Sequence, residues 1–153
     1  MISEPITIHH ANYRITTDRS KLDVQAVHKY LSDESYWAKG IPFDKVKCTF
    51  DHSFVIGVLH GDEQVGYARF VTDYAVFAYL ADVYVLPAHR GKGLSKKMMD
   101  VLMGLPWVQG LRRLTLATVD AQGLYAQYGF AAPEKPERLM EIMRANPYGN
   151  SSL

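Results

Sequence analysis

The chain has 153 residues, 48% apolar and 22% charged, the composition of a folded globule rather than a disordered segment. Its 17 Lys and Arg against 16 Asp and Glu leave a formal net charge of +1, so no global field draws it to nucleic acid or an anionic membrane. One domain is expected over residues 1–153, because a chain of this size buries roughly 68–70% of its unfolded surface without staples.

Cys48 is the single cysteine, which excludes an internal disulfide framework and suits a reducing cytoplasm. No apolar run approaches the ~20 residues of a spanning helix. Met1-Ile2-Ser3-Glu4-Pro5 has no basic region followed by a long apolar stretch. The expectation is therefore a cytoplasmic protein with neither membrane segment nor signal peptide.

Tyr13 to Thr17 reads as a short first strand. Ser20-Lys21-Leu22-Asp23 offers a capping box, and Val24, Val27 and Leu31 follow at helical spacing, which predicts an amphipathic helix over 21–31. Asp33 to Ala38 adds an expected helical turn that Gly40-Ile41-Pro42 breaks. Ser53 to His60 is a buried strand, Gly61-Asp62-Glu63 turns the chain, and Gln64 to Thr72 returns as the hairpin partner. After the turn Asp73-Tyr74-Ala75, the apolar run Val76 to Leu86 forms a fourth strand that Pro87 ends. Leu94, Met98, Val101, Leu102 and Leu105 make one face of a helix. A strand over Arg113 to Thr118, a helix over Ala121 to Tyr128 and a last strand over Leu139 to Arg144 complete the order β-α-β-β-β-α-β-α-β. That order implies a three-layer α/β fold with hairpins in a mixed sheet.

The most informative segment is Asp82-Val83-Tyr84-Val85-Leu86-Pro87-Ala88-His89-Arg90-Gly91-Lys92-Gly93-Leu94-Ser95, where a strand enters a helix through a short loop with alternate glycines. The first amides of a helix lack internal partners, and the helix dipole adds positive potential. Glycine lets the backbone approach an anion closely, so the arrangement suits a phosphate. His89, Arg90, Lys92, Lys96 and Lys97 concentrate further charge there. Two familiar phosphate loops fail on spacing. Gly91 is followed five residues later by Lys96 where a P-loop needs a second glycine. The dinucleotide fingerprint needs a third glycine that Gly91-Lys92-Gly93-Leu94-Ser95-Lys96 lacks, and this segment follows hairpins rather than opening a parallel unit.

Arg90-Gly91-Lys92-Gly93-Leu94-Ser95 resembles the acetyl-CoA loop of the GNAT superfamily of N-acetyltransferases, Arg/Gln-x-x-Gly-x-Gly/Ala, with Ser95 at the last position in place of Gly or Ala. Val83-Tyr84-Val85-Leu86-Pro87 looks like the strand before that loop, and Gly123-Leu124-Tyr125-Ala126-Gln127-Tyr128-Gly129-Phe130 is similar to the family's Leu-Tyr…Gly-Phe element. The three matches fall in order and span roughly residues 13–144. The resemblance implies a largely antiparallel mixed sheet flanked by helices and splayed at the fourth strand. It implies acetyl-CoA as cosubstrate, its diphosphate on the amides of Arg90, Gly91, Lys92, Gly93, Leu94 and Ser95 and its pantetheine arm beside Val83 and Val85.

Acyl transfer from a thioester needs a neutral amine, a stabilised oxyanion and a hydrogen-bonded or protonated leaving thiolate. The resemblance gives the last task to Tyr125. A free phenol titrates near 10 and a thiol near 8.5, so full proton transfer is uphill by roughly 2 kcal/mol. Tyr125 is then a hydrogen-bond donor whose proton moves late, or a phenol with a lowered pKa. A core aromatic is the bland alternative. Asp82, placed by two-residue alternation on the face of Tyr84, is a candidate general base or a structural carboxylate. Tyr36, Trp37 and Tyr79 are candidates for walling the acceptor, and Asp33, Glu34, Asp73 and Tyr74 pose the same choice between site and scaffold.

His9-His10, His28, His52, His60 and His89 show no ligand-like spacing, so no metal is expected. Cys48 has no CxxC partner and reads as a buried, inert thiol. Three functions remain in view: an N-acetyltransferase acting on a small-molecule or peptide amine, a non-catalytic acyl-CoA sensor, and an RNA-directed acetyltransferase that the near-zero charge disfavours. No nucleic-acid partner is expected. Strand edges leave pairing into a homodimer open.

Overall fold

The computed structural model describes residues 4–145 and 147–148. Six strands form one sheet in sequence order: β1 (Thr7–His10), β2 (Tyr13–Thr16), β3 (Phe54–His60), β4 (Glu63–Thr72), β5 (Phe77–Val85) and β6 (Arg113–Leu116). Every neighbouring pair is antiparallel except β5 and β6. A parallel pair needs a long crossover, and α3 (Leu94–Met103) and the short α4 (Pro106–Gln109) supply it. Helices α1 (Val24–Asp33) and α2 (Phe43–Asp51) lie between β2 and β3, and α5 (Gln122–Ala126) follows β6.

Alternation along the strands feeds two apolar layers. Ile56, Val58, Ala68, Phe70 and Leu80 pack with Met98, Met99 and Leu102 of α3. Val55, Tyr67 and Tyr84 pack on the other face with Val27 and Leu31 of α1 and Val46 and Phe50 of α2. Helices on both faces of the mixed sheet make the expected three layers. No helix among the described residues is long and apolar enough to cross a membrane.

Several elements differ from the sequence expectation. Asp18, not Ser20, caps the first turn: its carboxylate accepts from the Ser20 amide at 3.1 Å and hydroxyl at 2.7 Å, holding Arg19–Lys21 in a 3-10 turn. Helix α1 therefore starts later, with Asp23 accepting from the Gln25 amide at 2.9 Å. Residues 34–38 form bends rather than a helical turn, fixed by the Ser35 hydroxyl, which donates to the Leu31 carbonyl and accepts from the Ala38 amide. Strand β1 and helix α2 were not foreseen. In α2 only Val46 and Phe50 are buried, too sparse a stripe to stand out, and Cys48, expected to be buried, lies exposed on the outer side of this helix. Leu139 to Arg144 is not a strand. No described strand pairs with it, and a strand cannot persist without a partner for its backbone groups.

The sheet opens where the resemblance implied. β6 follows β5 only from Phe77–Leu80 against Arg113–Leu116, while β5 runs on to Val85. On its other edge β5 carries a bulge: Ala81 faces Arg69 and Tyr84 faces Tyr67, so Asp82 and Val83 together oppose Ala68. Asp82 takes the left-handed backbone, φ 56.

Candidate active site

Beyond β5, Pro87–His89 make a single 3-10 turn and Arg90 leads into the glycine loop. Gly91 and Gly93 have φ of 76° and 75°, values that cost an L side chain roughly 1–2 kcal/mol. A Cβ at either position would meet nothing within 4 Å, so both glycines border open space. Gly93 is the N-cap of α3 and brings no side-chain acceptor. The amide of Lys97 donates to the Gly93 carbonyl at 3.0 Å. The amides of Gly91 to Lys96 have no acceptor among the described residues. Beside them lies a hollow of about 240 Å³ walled by Val85, Arg90, Gly91, Gly93, Ser95 and Leu124, among others. Six free amides, open glycines and a helix N-terminus suit the diphosphate of a coenzyme A thioester.

The loop's arginine is engaged inward. Arg90 donates through Nε to the Val85 carbonyl at 2.8 Å and through Nη2 to the Tyr30 hydroxyl at 3.1 Å. It thereby ties the end of β5 to α1 and shapes the loop. Lys96 is drawn to α5, donating to Gln127 Oε1 at 3.2 Å and lying 5.2 Å above the Tyr128 ring. Val83 and Val85 line the edge of β5 that β6 does not reach.

Tyr125 sits on α5, 7% exposed and edge-to-face with Phe130 at 6.1 Å. Its hydroxyl has no hydrogen-bond partner among the described residues, and it borders a cleft of about 1130 Å³ beside β6. Burial raises its pKa above the usual 10, and the nearby Tyr36 phenol and Asp120 carboxylate push the same way. These effects favour the protonated phenol, which can donate.

Asp82 and Trp37, 45 residues apart, meet. Asp82 Oδ1 accepts from Trp37 Nε1 at 2.8 Å and Oδ2 from Arg69 Nε at 2.7 Å. Arg69 also donates to Ser53 Oγ at 3.1 Å. Trp37 stands edge-on to Tyr36 at 5.0 Å, and Tyr30 stacks on Tyr84 at 3.9 Å. The Tyr67 and Tyr84 phenols are buried, which pushes both pKa values well up and keeps them neutral. Tyr79 is partly exposed, paired with Val71 and Thr115, and lies by alternation on the same sheet face as Tyr67 and Arg69. Tyr36, Trp37, Asp82 and Tyr79 thus lie on the α1/α2 side of the opened sheet. Strict alternation between Tyr79 and Tyr84 fails at the bulge, which is what brings Asp82 onto this face.

Other candidates serve the scaffold. Tyr74 packs against Phe54 and Trp107 on the opposite face. Asp73 accepts from the amides of Ala75, Val76 and Phe77, which holds its carboxyl below the usual range and closes the turn before β5. Asp33 contributes its carbonyl to Lys39. Arg69 and Tyr30 carry no sequence signal, because each acts only through contacts distant in the chain. Spacing also missed a meeting of His60, Glu63 and His89, whose ligand atoms lie within 4.8 Å of one another. His89 Nδ1 is 2.8 Å from the Tyr13 hydroxyl, and its Nε2 is 3.9 Å from Glu63. The latter distance exceeds the ~3.3 Å between two ligands held ~2.0–2.1 Å from a tetrahedral zinc.

Comparison with known proteins agrees with this geometry. Residues 24–130 match the acetyltransferase (GNAT) family. A protein of Gibberella zeae named as an acetyltransferase is 32% identical over 146 residues, covering 82% of each chain. The crystal structure of a protein from Xanthomonas campestris, described as a GNAT-family acetyltransferase, superposes with a TM-score of 0.87. It is 48% identical and covers 90% of this chain and 97% of its own. A protein of Clostridium acetobutylicum, described as an acetyltransferase and crystallised with acetyl-CoA, shares the fold, with a TM-score of 0.64, 17% identity, and 86% and 95% of the two chains covered. The chain belongs to the GNAT family and is an acetyltransferase.

Proposed function

We propose that this protein transfers the acetyl group of acetyl-CoA to a primary amine by direct attack. One observation carries the reading: two left-handed glycines and six amides without acceptors at the head of α3, beside a strand edge that β6 leaves bare. The amides of Gly91 to Lys96 would hold the diphosphate; that of Arg90, expected among them, donates instead to the Pro87 carbonyl at 3.3 Å and closes the 3-10 turn. The free edge of Val83 and Val85 would pair with the amides of the pantetheine arm, which satisfies backbone groups otherwise left open. The bound thioester supplies an activated acetyl carbonyl. Tyr125, kept protonated by burial, donates a hydrogen bond to the sulfur as negative charge develops there.

The acceptor enters on the α1/α2 side, against Tyr36, Trp37 and Tyr79. Exposed aromatic faces attract an alkylammonium, which sheds a proton to water before attack. Asp82 is a positioning residue in this reading. Both its oxygens are occupied, by Arg69 and Trp37, so it fixes the indole and the bulge. Small-molecule and peptide amines both fit a wall open to solvent.

The test is thiol release from acetyl-CoA with a panel of amines, small and peptidyl. Amine-dependent release that saturates in both substrates is expected. Tight coenzyme A binding with no transfer to any amine would replace this reading with a non-catalytic acyl-CoA sensor.

A further inference from the structure

The turn that follows β5 meets a row of side chains assembled by the sheet. Tyr13 pairs with His60 across β2 and β3, and His60 pairs with Glu63 across β3 and β4. Directly paired residues share a sheet face, so the three side chains line up at one end of the sheet, on the side where Tyr13 joins the α3 core. His89 reaches this row from the 3-10 turn Pro87–His89, its amide fixed on the Leu86 carbonyl at 2.9 Å. His60 lies against both aromatic neighbours, with ring centroids 5.0 Å from Tyr13 and 5.2 Å from His89. Spacing along the chain gives no hint of this meeting, because strand register and a turn create it.

Two imidazoles and a carboxylate are ligands for zinc and its neighbours among the divalent transition metals. One ligand atom each from His60, Glu63 and His89 lies within 4.8 Å of the other two. Some point is then no more than about 2.8 Å from all three, against ~2.0–2.2 Å for zinc bound to nitrogen or carboxylate oxygen. Closing on an ion takes shifts of about 0.6–0.8 Å at each ligand, and the Glu63 side chain, 62% exposed, has room to move. The orientation of His89 is already that of a bound imidazole. Its Nε2 faces Glu63 Oε1 at 3.9 Å, and its Nδ1 lies 2.8 Å from the Tyr13 hydroxyl. A metal-bound histidine gives one lone pair to the ion and donates its other ring N–H to a fixed oxygen, which sets the tautomer. Tyr13, 6% exposed, holds such an oxygen in place. Two arginines of the adjoining elements are engaged elsewhere: Arg14 donates to the Gly61 carbonyl at 3.0 Å, and Arg90 to Val85 and Tyr30. Solvent reaches the group past Glu63, which gives an ion an entry path and a water for the remaining position.

We propose that His60, Glu63 and His89 bind one divalent transition cation of the zinc class, with water as fourth ligand and Tyr13 orienting His89. The ion ties the β3–β4 hairpin to the turn that leads into the glycine loop. Neither Tyr125 nor Asp82 takes part, and the site stands independently of the function proposed above.

The test is titration of the tag-free full chain with zinc chloride against a chromogenic chelator, with melting curves on the same samples, for wild type, His60→Asn, Glu63→Gln and Cys48→Ser. Glu63 is largely exposed, so Gln leaves the fold intact, and melting without zinc verifies this. Expected is one saturable zinc per wild-type chain. Loss of a direct ligand should weaken it at least about 100-fold, since outer partners alone are worth 10–100-fold. At zinc concentrations 100 times Kd the wild-type Tm should rise by roughly 5–10 °C, and that of Glu63→Gln should not. Absence of saturable zinc overturns the proposal, as does affinity indifferent to His60→Asn or Glu63→Gln. Affinity lost in Cys48→Ser also overturns it, because zinc would then sit on Cys48 and His52, whose Sγ and Nδ1 are 3.8 Å apart. Zinc taken up with no rise in Tm does so too, since the unfolded chain would hold it equally well. None of these readouts involves acetyl-CoA, so their failure leaves the acetyl-transfer reading untouched.

Discussion

Replacing Tyr125 with phenylalanine deletes one hydroxyl and leaves the ring that packs on Phe130. That hydroxyl has no partner among the described residues and is not one of the buried orphan atoms, so the stability change should stay within about 0.5 kcal/mol. In the proposed transition state it meets a sulfur acquiring negative charge. A hydrogen bond to a charged group contributes about 1.5–3 kcal/mol, which converts to a fall in kcat of roughly 10–150-fold at 1.4 kcal/mol per decade. The proposed diphosphate and pantetheine contacts do not use the deleted hydroxyl, so acetyl-CoA affinity should hold. The assay is steady-state thiol release, with pre-steady-state mixing to establish that chemistry limits turnover. The pH profile adds a second readout. Burial, Tyr36 and Asp120 raise the phenol above its usual 10, so a donor phenol loses its proton, and its contribution, only above pH 10. An unchanged kcat with chemistry limiting would refute the role. A falling limb near pH 8 in wild type that vanished in Tyr125→Phe would refute the raised pKa.

Gly93→Ala places a Cβ at φ 75° in space open to the hollow. It should cost about 1–2 kcal/mol of stability, read by denaturant unfolding, and weaken coenzyme A by more than that loss predicts; full affinity would show that the loop does not cradle the ligand. Asp82→Asn tolerates the left-handed backbone but strips the Arg69 guanidinium of its ionic partner, in a pair whose side chains are only 15% and 10% exposed. Stability should drop by about 1–3 kcal/mol, while the acid limb of the kcat/KM profile stays in place; disappearance of that limb at unchanged stability would make Asp82 the base.

The glycine loop and the fourth strand were legible because local order fixes them, whereas Tyr125 entered only through the resemblance. A strand, two glycines, a cation cluster and a helix lie within 20 residues, and each leaves its own signature. The opened sheet followed only from the resemblance, since where β6 stops is decided by packing across the sheet. Asp82 marks the boundary of local reasoning. Its face depends on a bulge that inserts one residue against β4, and its partners Arg69 and Trp37 lie 13 and 45 residues away. The first capping box failed for a related reason: Ser20 and Asp23 had the right spacing, but Asp18 competes for Ser20 and Asp23 caps alone. The terminal strand was read from a pattern that is real, four apolar residues among five, yet a strand exists only where a neighbour completes its hydrogen bonds.

Whether loop amides grip a diphosphate is tested most directly by titrating the protein in a calorimeter with coenzyme A and, separately, with pantetheine, which lacks the diphosphate and nucleotide but keeps the arm and thiol. Saturable binding of coenzyme A, with pantetheine weaker by orders of magnitude and Gly93→Ala narrowing the gap, is the predicted result. No heat with coenzyme A, or equal affinity for the two, would contradict it.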